Sequence, residues 1–294
     1  MPGEVYAIAC AFLWALSSAL LKSQTHKMPV VLLAALRTIP AVSMYWGLLV
    51  FSGRINELVH LSLRTWAFLA GSTLVGLVLG DLFYFRSMKL IGLSRAMPLS
   101  TTYPFFTLTL ALLFLDEKLG WAIVGGAALT VVGACLLAFP QGTGRIRRSE
   151  ATREVDLVGV ALALGAAICW ASSTILLRLG LTGVDVAIAN SIRLSVLLVV
   201  LVAILPKRGK IGRIRDYGLR SLSIVFVAGI IGTGLGTFAF LAAVQRAGAA
   251  RASILTATTP LFGVPLSLIL KEKLSGRTLL GTMLTMAGVW LTVY

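Results

Sequence analysis

The sequence predicts an all-α polytopic membrane protein, with ten transmembrane helices arranged as two inverted five-helix repeats. Three observations predict it. Of 294 residues, 58% are apolar and only 13% are charged, about half the charged share of a soluble domain. Ten apolar stretches come close to the roughly 20 residues that cross a bilayer as helix. The motifs of the first half also return in the second at a nearly constant separation.

The first stretch, residues 4 to 22, has no Lys or Arg before it. It reads as a retained span rather than a removable leader, because its twin at 157 to 177 is internal. Residues 30 to 52, 66 to 87, 93 to 115 and 119 to 139 complete the first set. The second set covers 157 to 177, 184 to 205, 221 to 245, 249 to 270 and 276 to 293. The chain thus divides into a first repeat over 1–140, a basic linker loop over 141–156 and a second repeat over 157–294. A multi-pass protein of the cell (plasma or inner) membrane is expected.

At one offset of 156, Trp14 recurs as Trp170, Ser17 as Ser173, Leu21 as Leu177 and Arg37 as Arg193. Gly76 and Gly80 return as Gly232 and Gly236, Arg95 as Arg251, Thr102 as Thr258, and Pro104 as Pro260. After a one-residue deletion the offset becomes 155, and "DEKL" at 116–119 answers "KEKL" at 271–274. Chance similarity of apolar sequence does not align Trp, Pro and Arg in register over five helices. Five spans per copy force the second copy to enter from the opposite side, so the halves are inverted, a construction used by many secondary transporters.

The net charge of +15 is spread over the connections between spans, which argues for sidedness and against nucleic acid. With Arg37 and Arg193 set aside, loops 1-2, 3-4, 5-6, 7-8 and 9-10 and their flanks hold 18 of the remaining 24 Lys and Arg. The other six are Arg54, Arg64, Lys118, Arg178, Arg246 and Arg251. The richer face is expected to be cytoplasmic, with both termini outside. Cys10, Cys135 and Cys169 lie within spans and read as small packing residues, with no disulfide, metal or cofactor implied.

These features together resemble the EamA-type family of the drug/metabolite transporter superfamily. They are a Trp and hydroxyls in the first helix of each copy, an Arg near the start of the second, and a Gly-rich third running into "GLSRA" or "GAARA". An E-K-L signature stands before the fifth, with Asp116 and Lys271 where the family usually has Gly. The resemblance covers the whole chain. It implies a ten-helix basket around a substrate cavity, and commonly export of amino acids or related metabolites. It also implies cytoplasmic termini, against the charge count.

Trp14, Ser17, Ser18 and Leu21 share one face of the first span by helical spacing, as do Trp170, Ser173, Thr174 and Leu177 on the sixth. Two readings stay open for both stripes: a polar cavity lining for substrate, or close helix packing through small hydroxyl residues. Pro104 and Pro260 are expected near the middles of the fourth and ninth spans, freeing the carbonyls of Ser100 and Thr256. Thr102, Tyr103, Thr258 and Thr259 stand beside them, and helices interrupted at equivalent places point to a binding site with Pro hinges.

Asp81 is the only acidic residue deep within a span, which makes it the candidate for proton coupling. The structural alternative pairs it with Arg86 or Tyr84, the latter also a substrate-binding candidate. Arg37 and Arg193 lie about 10 to 14 Å from the nearer helix end at 1.5 Å per residue. They are expected to anchor at the interface, or to bind an anion if they face the cavity. Asn190 and Gln245 are further cavity candidates on polarity alone.

An enzyme would need a nucleophile with its base or a metal cluster; His26 and His60 are the only histidines and lie outside the span centres. The leading expectation is a secondary transporter exporting a small metabolite, the single chain supplying both halves of the cavity as a monomer among membrane lipids. The rivals are an importer or exchanger of organic anions or phosphorylated metabolites through Arg37 and Arg193, and a passive channel.

Overall fold

The computed structural model describes residues 2–22, 24, 27–91, 96, 99–100, 102–115, 120–138, 150–205, 214–259, 261–262 and 276–293. The first described elements are α1 (Gly3–Lys22), α2 (Val30–Phe51) and the single turn α3 (Asn56–Val59). Next, α4 (Leu63–Ser72) passes through a π-helical segment, Thr73–Gly80, into α5 (Asp81–Ile91). Then come α6 (Tyr103–Phe114), α7 (Trp121–Ala138), α8 (Glu150–Gly180) and α9 (Val186–Ala203). A short 3₁₀ turn, Ile214–Tyr217, precedes α10 (Leu219–Ala228), a second π-helical segment, Gly229–Gly236, and α11 (Thr237–Ala247). Last are α12 (Ala249–Thr256) and α13 (Gly276–Val293).

Six of these runs are long and apolar enough to cross a membrane, including the continuous α4–α5 and α10–α11 runs; Val186–Ala203 reaches a mean hydropathy of 2.3. Tyr103–Phe114 and Trp121–Gly133 are shorter apolar helices. Large apolar side chains such as Phe51, Leu63 and Trp121 point outward, which suits lipid and not water. The chain is therefore an all-helical polytopic membrane protein. One difference from the expected boundaries is that α8 starts at Glu150, inside the stretch read as linker.

Local chemistry explains several helix starts. Ser62 opens α4 by accepting the Thr65 amide at 3.1 Å, and Asp185 opens α9 by accepting the amides of Ala187 at 2.9 Å and Ile188 at 3.4 Å. Pro40 stands inside α2, where it removes one backbone donor.

The two π-helical segments occupy positions 73–80 and 229–236, separated by the same 156 residues as the sequence motifs. A π segment accepts hydrogen bonds from the amide five residues on instead of four, so the carbonyl where the register changes lacks its usual donor. Ser173 on α8 donates to the Ser72 carbonyl at 2.6 Å, and Ser17 on α1 donates to the Ala228 carbonyl at 2.9 Å. Each hydroxyl thus satisfies the carbonyl at the entrance of a π segment in the other half of the chain.

Helix α7 packs on α13 through small residues in the same paired fashion. A Cβ on Gly133 would lie 2.5 Å from the Thr285 amide nitrogen, and one on Gly288 would lie 2.5 Å from that of Thr130. Only glycine allows this backbone approach. The main apolar core joins Leu69, Leu177, Leu181, Ile188, Leu241 and Leu255, locking α4, α8, α9, α11 and α12 together at the membrane face where Gly180 meets Val186.

Candidate functional site

The site is built around the two tryptophans and the π segments they abut. A Cβ on Gly80 would stand 2.8 Å from Trp170 Cδ1, and one on Gly236 would stand 2.7 Å from Trp14 Cδ1. The Cδ1 and Nε1 atoms of both indoles therefore pack closely against glycine backbone at the ends of the π segments. Trp170 packs on Tyr84 with ring centroids 5.5 Å apart, and Trp14 packs on Phe240 at 5.4 Å. Tyr84 and Phe240 are again 156 residues apart.

The residue just past each π segment differs between the halves. In the first, Asp81 Oδ1 accepts the Trp170 indole N–H at 3.0 Å. Neither expected partner of Asp81, Arg86 or Tyr84, makes the bond described. The guanidinium of Arg37 is its electrostatic neighbour, and both side chains line one cavity of about 60 Å³ with Thr38, Leu77 and Leu197. The Nε of Arg37 is buried and has no hydrogen-bond partner. In the second, Thr237 stands where Asp81 does; it accepts the Asn190 amide at 2.7 Å and donates back to the Thr233 carbonyl. Asn190 is fully buried, and its Oδ1 has no partner.

The arginines do not sit at the interface, as their distance from the helix ends led us to expect. Arg193 is 3% exposed, donates from Nε to the Ser72 hydroxyl at 3.0 Å, and its carbonyl accepts the Thr73 hydroxyl. Arg37 turns inward to the cavity. A local neutral or anionic acceptor competes with the distant headgroups, and in these positions the local partner wins.

The hydroxyl stripes separate. Ser17 and Ser173 are buried in the interhelical bonds described above, and Thr174 donates to the Trp170 carbonyl one turn back at 2.9 Å. Ser18 faces outward, away from Ser17. These contacts favour packing over solute contact for Ser17, Ser173 and Thr174.

Pro104 does not sit in mid-helix: α6 begins at Tyr103 with Pro104 in its first turn, where a missing amide is no loss. The interruption lies one step earlier. Thr102 N bonds Leu99 O at 3.3 Å and Phe105 N bonds Thr102 O at 3.0 Å, while Thr258 N bonds Leu255 O at 3.3 Å and Leu261 N bonds Thr258 O at 2.8 Å. The Thr102 and Thr258 hydroxyls each cap the third carbonyl back at 2.6 Å, and Thr259 caps Thr256 O at 2.7 Å. Pro260 lies outside the described residues. Tyr103 bridges the two breaks, its hydroxyl 3.0 Å from both Ser253 O and Thr256 Oγ1, with its ring edge-on to Trp170 at 6.2 Å.

Sequence reading missed the π segments, Ser72 and Tyr45. Tyr45 is 2% exposed and donates to the Gly234 carbonyl within the second π segment at 2.8 Å; its counterpart is Leu201, so no repeat signal marks it. No spacing in the chain marks a π segment; the repeated pairs Gly76/Gly80 and Gly232/Gly236 are the sequence features that fall on these two. Gln245 is not a cavity residue of the Asp81 cluster. It donates to the carbonyls of Leu181 at 3.1 Å and Val184 at 2.8 Å. Outside the spans, the hydrogen bond and charge of Arg54 hold the Glu57 carboxyl below the usual carboxylate range.

Helices broken at equivalent repeat positions, a largely apolar cavity holding Arg37 and Asp81 and an outward-facing apolar surface fit a membrane transporter. The EamA-like transporter family model matches residues 1–139 and again 157–294; the chain belongs to that family. A protein of Archaeoglobus fulgidus named "Uncharacterized transporter" is 25% identical over 234 residues, covering 79% of this chain and 78% of the relative. A solved structure described as "Crystal structure of protein" superposes with TM-score 0.78 at 19% identity, over 98% of this chain and 95% of that one. The last match establishes a shared fold.

Proposed function

We propose that the protein is a secondary transporter of the plasma (inner) membrane that exports a small metabolite, an amino acid or related compound, by alternating access. In this reading residues 1–140 and 157–294 are inverted five-span halves joined by 141–156. The shorter helices α6, α7, α12 and α13 complete ten spans, and the basic loops face the cytoplasm. The observation that carries it is the reciprocal pair Ser17 to Ala228 O and Ser173 to Ser72 O. Each half grips the π segment of the other, a reciprocity that supports reading the halves as related by a two-fold and able to exchange conformations.

The cavity of about 60 Å³ is far below the roughly 300–1,000 Å³ of ordinary small-molecule pockets. Loading a metabolite therefore requires α2, α5 and α9 to part. A wall carrying one guanidinium and one carboxylate complements a solute with both a carboxylate and an ammonium group. Asp81 is the proton-exchanging group in this scheme, and Trp170 holds it in place. Counterflow in proteoliposomes, with labelled amino acids outside and unlabelled inside, tests the function: saturable exchange is expected, and non-saturating equilibration would mean a passive pore. A second reading, exchange of organic anions, is favoured by the unpartnered Nε of Arg37; anionic metabolites outcompeting amino acids in the same assay would select it.

A further inference from the structure

One membrane face is tied together by ion pairs. The Arg54 guanidinium, just past α2, bonds Glu57 at 2.6 Å and reaches Asp185 at the start of α9 at 3.5 Å. Arg251 on α12 reaches Glu4 on α1 at 3.4 Å. The same face carries stitches to backbone. Arg178 at the end of α8 donates to the carbonyls of Val244 at 3.1 Å and Gln245 at 2.5 Å, and Gln245 bonds back to Leu181 and Val184. The cavity with Arg37 and Asp81 lies toward the opposite face, among the early residues of α2 and Leu201 and Ile204 at the end of α9.

The repeat offset tells what could close the opposite face. Arg178 and Gln245 correspond to Lys22 and Lys89, which keep donors able to stitch carbonyls. The acids do not persist. Glu4 corresponds to Val160, Glu57 to Arg213 and Asp185 to Pro29, while Arg54 and Arg251 correspond to Lys210 and Arg95. At the counterpart positions the carbonyl stitches thus keep their donors, whereas these ion pairs lose their acids.

We propose that Glu4–Arg251 and Arg54–Asp185 form a one-sided electrostatic latch that holds this face shut and biases the transporter toward the conformer open to the basic loops. The idea rests on the inverted-repeat transporter proposed for this chain. Alternating access exchanges the two closures, and the positions equivalent to these acids carry none. Each exposed pair shifts the balance only modestly, by roughly 1.5- to 5-fold. The latch weakens at high ionic strength, because the screening length falls from about 10 Å at 0.1 M salt to about 3 Å at 1 M.

The test uses full-length protein in proteoliposomes, with Cys10, Cys135 and Cys169 replaced and a single reporter, Ala7→Cys beneath the latch or Ala34→Cys in the cavity wall. The readout is the rate of alkylation by a membrane-impermeant maleimide. Glu4→Gln and Asp185→Asn remove charge while leaving the hydrogen-bonding shape, and Asn still caps α9. Each should raise the Ala7→Cys rate by about 1.5- to 5-fold and lower the Ala34→Cys rate, as should 1 M salt. The exchange Glu4→Arg with Arg251→Glu should restore both rates, which separates the latch from a folding defect. Unchanged rates in both single variants and in high salt would overturn the latch. Rates that rise together at both reporters would keep the latch as a gate but sink alternating access.

Discussion

The cluster around Trp170 and the cluster around Trp14 share a backbone and differ in charge. Each indole lies on the last glycine of a π segment and against an aromatic ring of the following helix. Trp170 bonds Asp81, beside which Arg37 lies, and packs on Tyr84; Trp14 packs on Phe240, while Thr237, in the place of Asp81, bonds Asn190. The backbone arrangement recurs, but the intramembrane carboxylate sits in one copy. A moving part needs both copies for symmetry of motion, whereas a proton site needs only one carboxylate.

Removing the charge from the unequal member should have the largest effect. Asp81→Ala leaves the Trp170 N–H without its acceptor and Arg37 without its neighbouring charge, a loss of roughly 2–3 kcal/mol that thermal unfolding in detergent should show; Thr237→Ala, which orphans the neutral Asn190 amide, should cost less. Asp81→Asn keeps an acceptor for Trp170. It should fold but lose pH-gradient-driven flux while retaining counterflow; undiminished pH-driven flux would remove Asp81 as the coupling group. Next in size, Gly80→Ala and Gly236→Ala should destabilise equally, by about 1–3 kcal/mol of overpacking, because their clashes with the two indoles match within 0.1 Å (2.8 versus 2.7 Å). Unequal melting shifts would mean that the two π segments are not mechanically equivalent.

Ser17→Ala and Ser173→Ala should cost about 0.6 kcal/mol each, the usual size of an interhelical hydrogen bond in a membrane, again measured as paired melting shifts. The smallest effect belongs to Arg54 and Glu57, whose counterparts Lys210 and Arg213 are both cationic. Because Arg54 depresses the Glu57 carboxyl in the folded state, its stabilisation is present above the unfolded value of about 4.3. It is lost as pH falls through the lower folded value. Glu57→Gln should lower the melting temperature slightly at neutral pH, flatten that acid limb, and leave the profile unchanged at pH values below it.

The helices and the family were legible because hydropathy and repeated residue types are properties of the chain itself. The 156-residue offset even paired Trp14 with Trp170 and Ser17 with Ser173 before any contact was seen. It did not say that the serines would cap π-segment carbonyls while Ser18 turns outward. Nor did it say that Arg193 would choose the Ser72 hydroxyl over the membrane surface, since Ser72 is 121 residues away and its counterpart Ala228 carries no such group.

By itself the sequence determined that this chain lives in a membrane, that its motifs recur in one register, and that a single copy carries the intramembrane carboxylate. Tertiary structure alone decided which hydroxyls meet carbonyls, where Pro104 starts a helix, and which membrane face is bound by ion pairs. The physical reason is that an unpaired backbone group or a buried charge is answered by whichever donor or acceptor the packing brings within about 3 Å. That neighbour is chosen across helices, not along the chain.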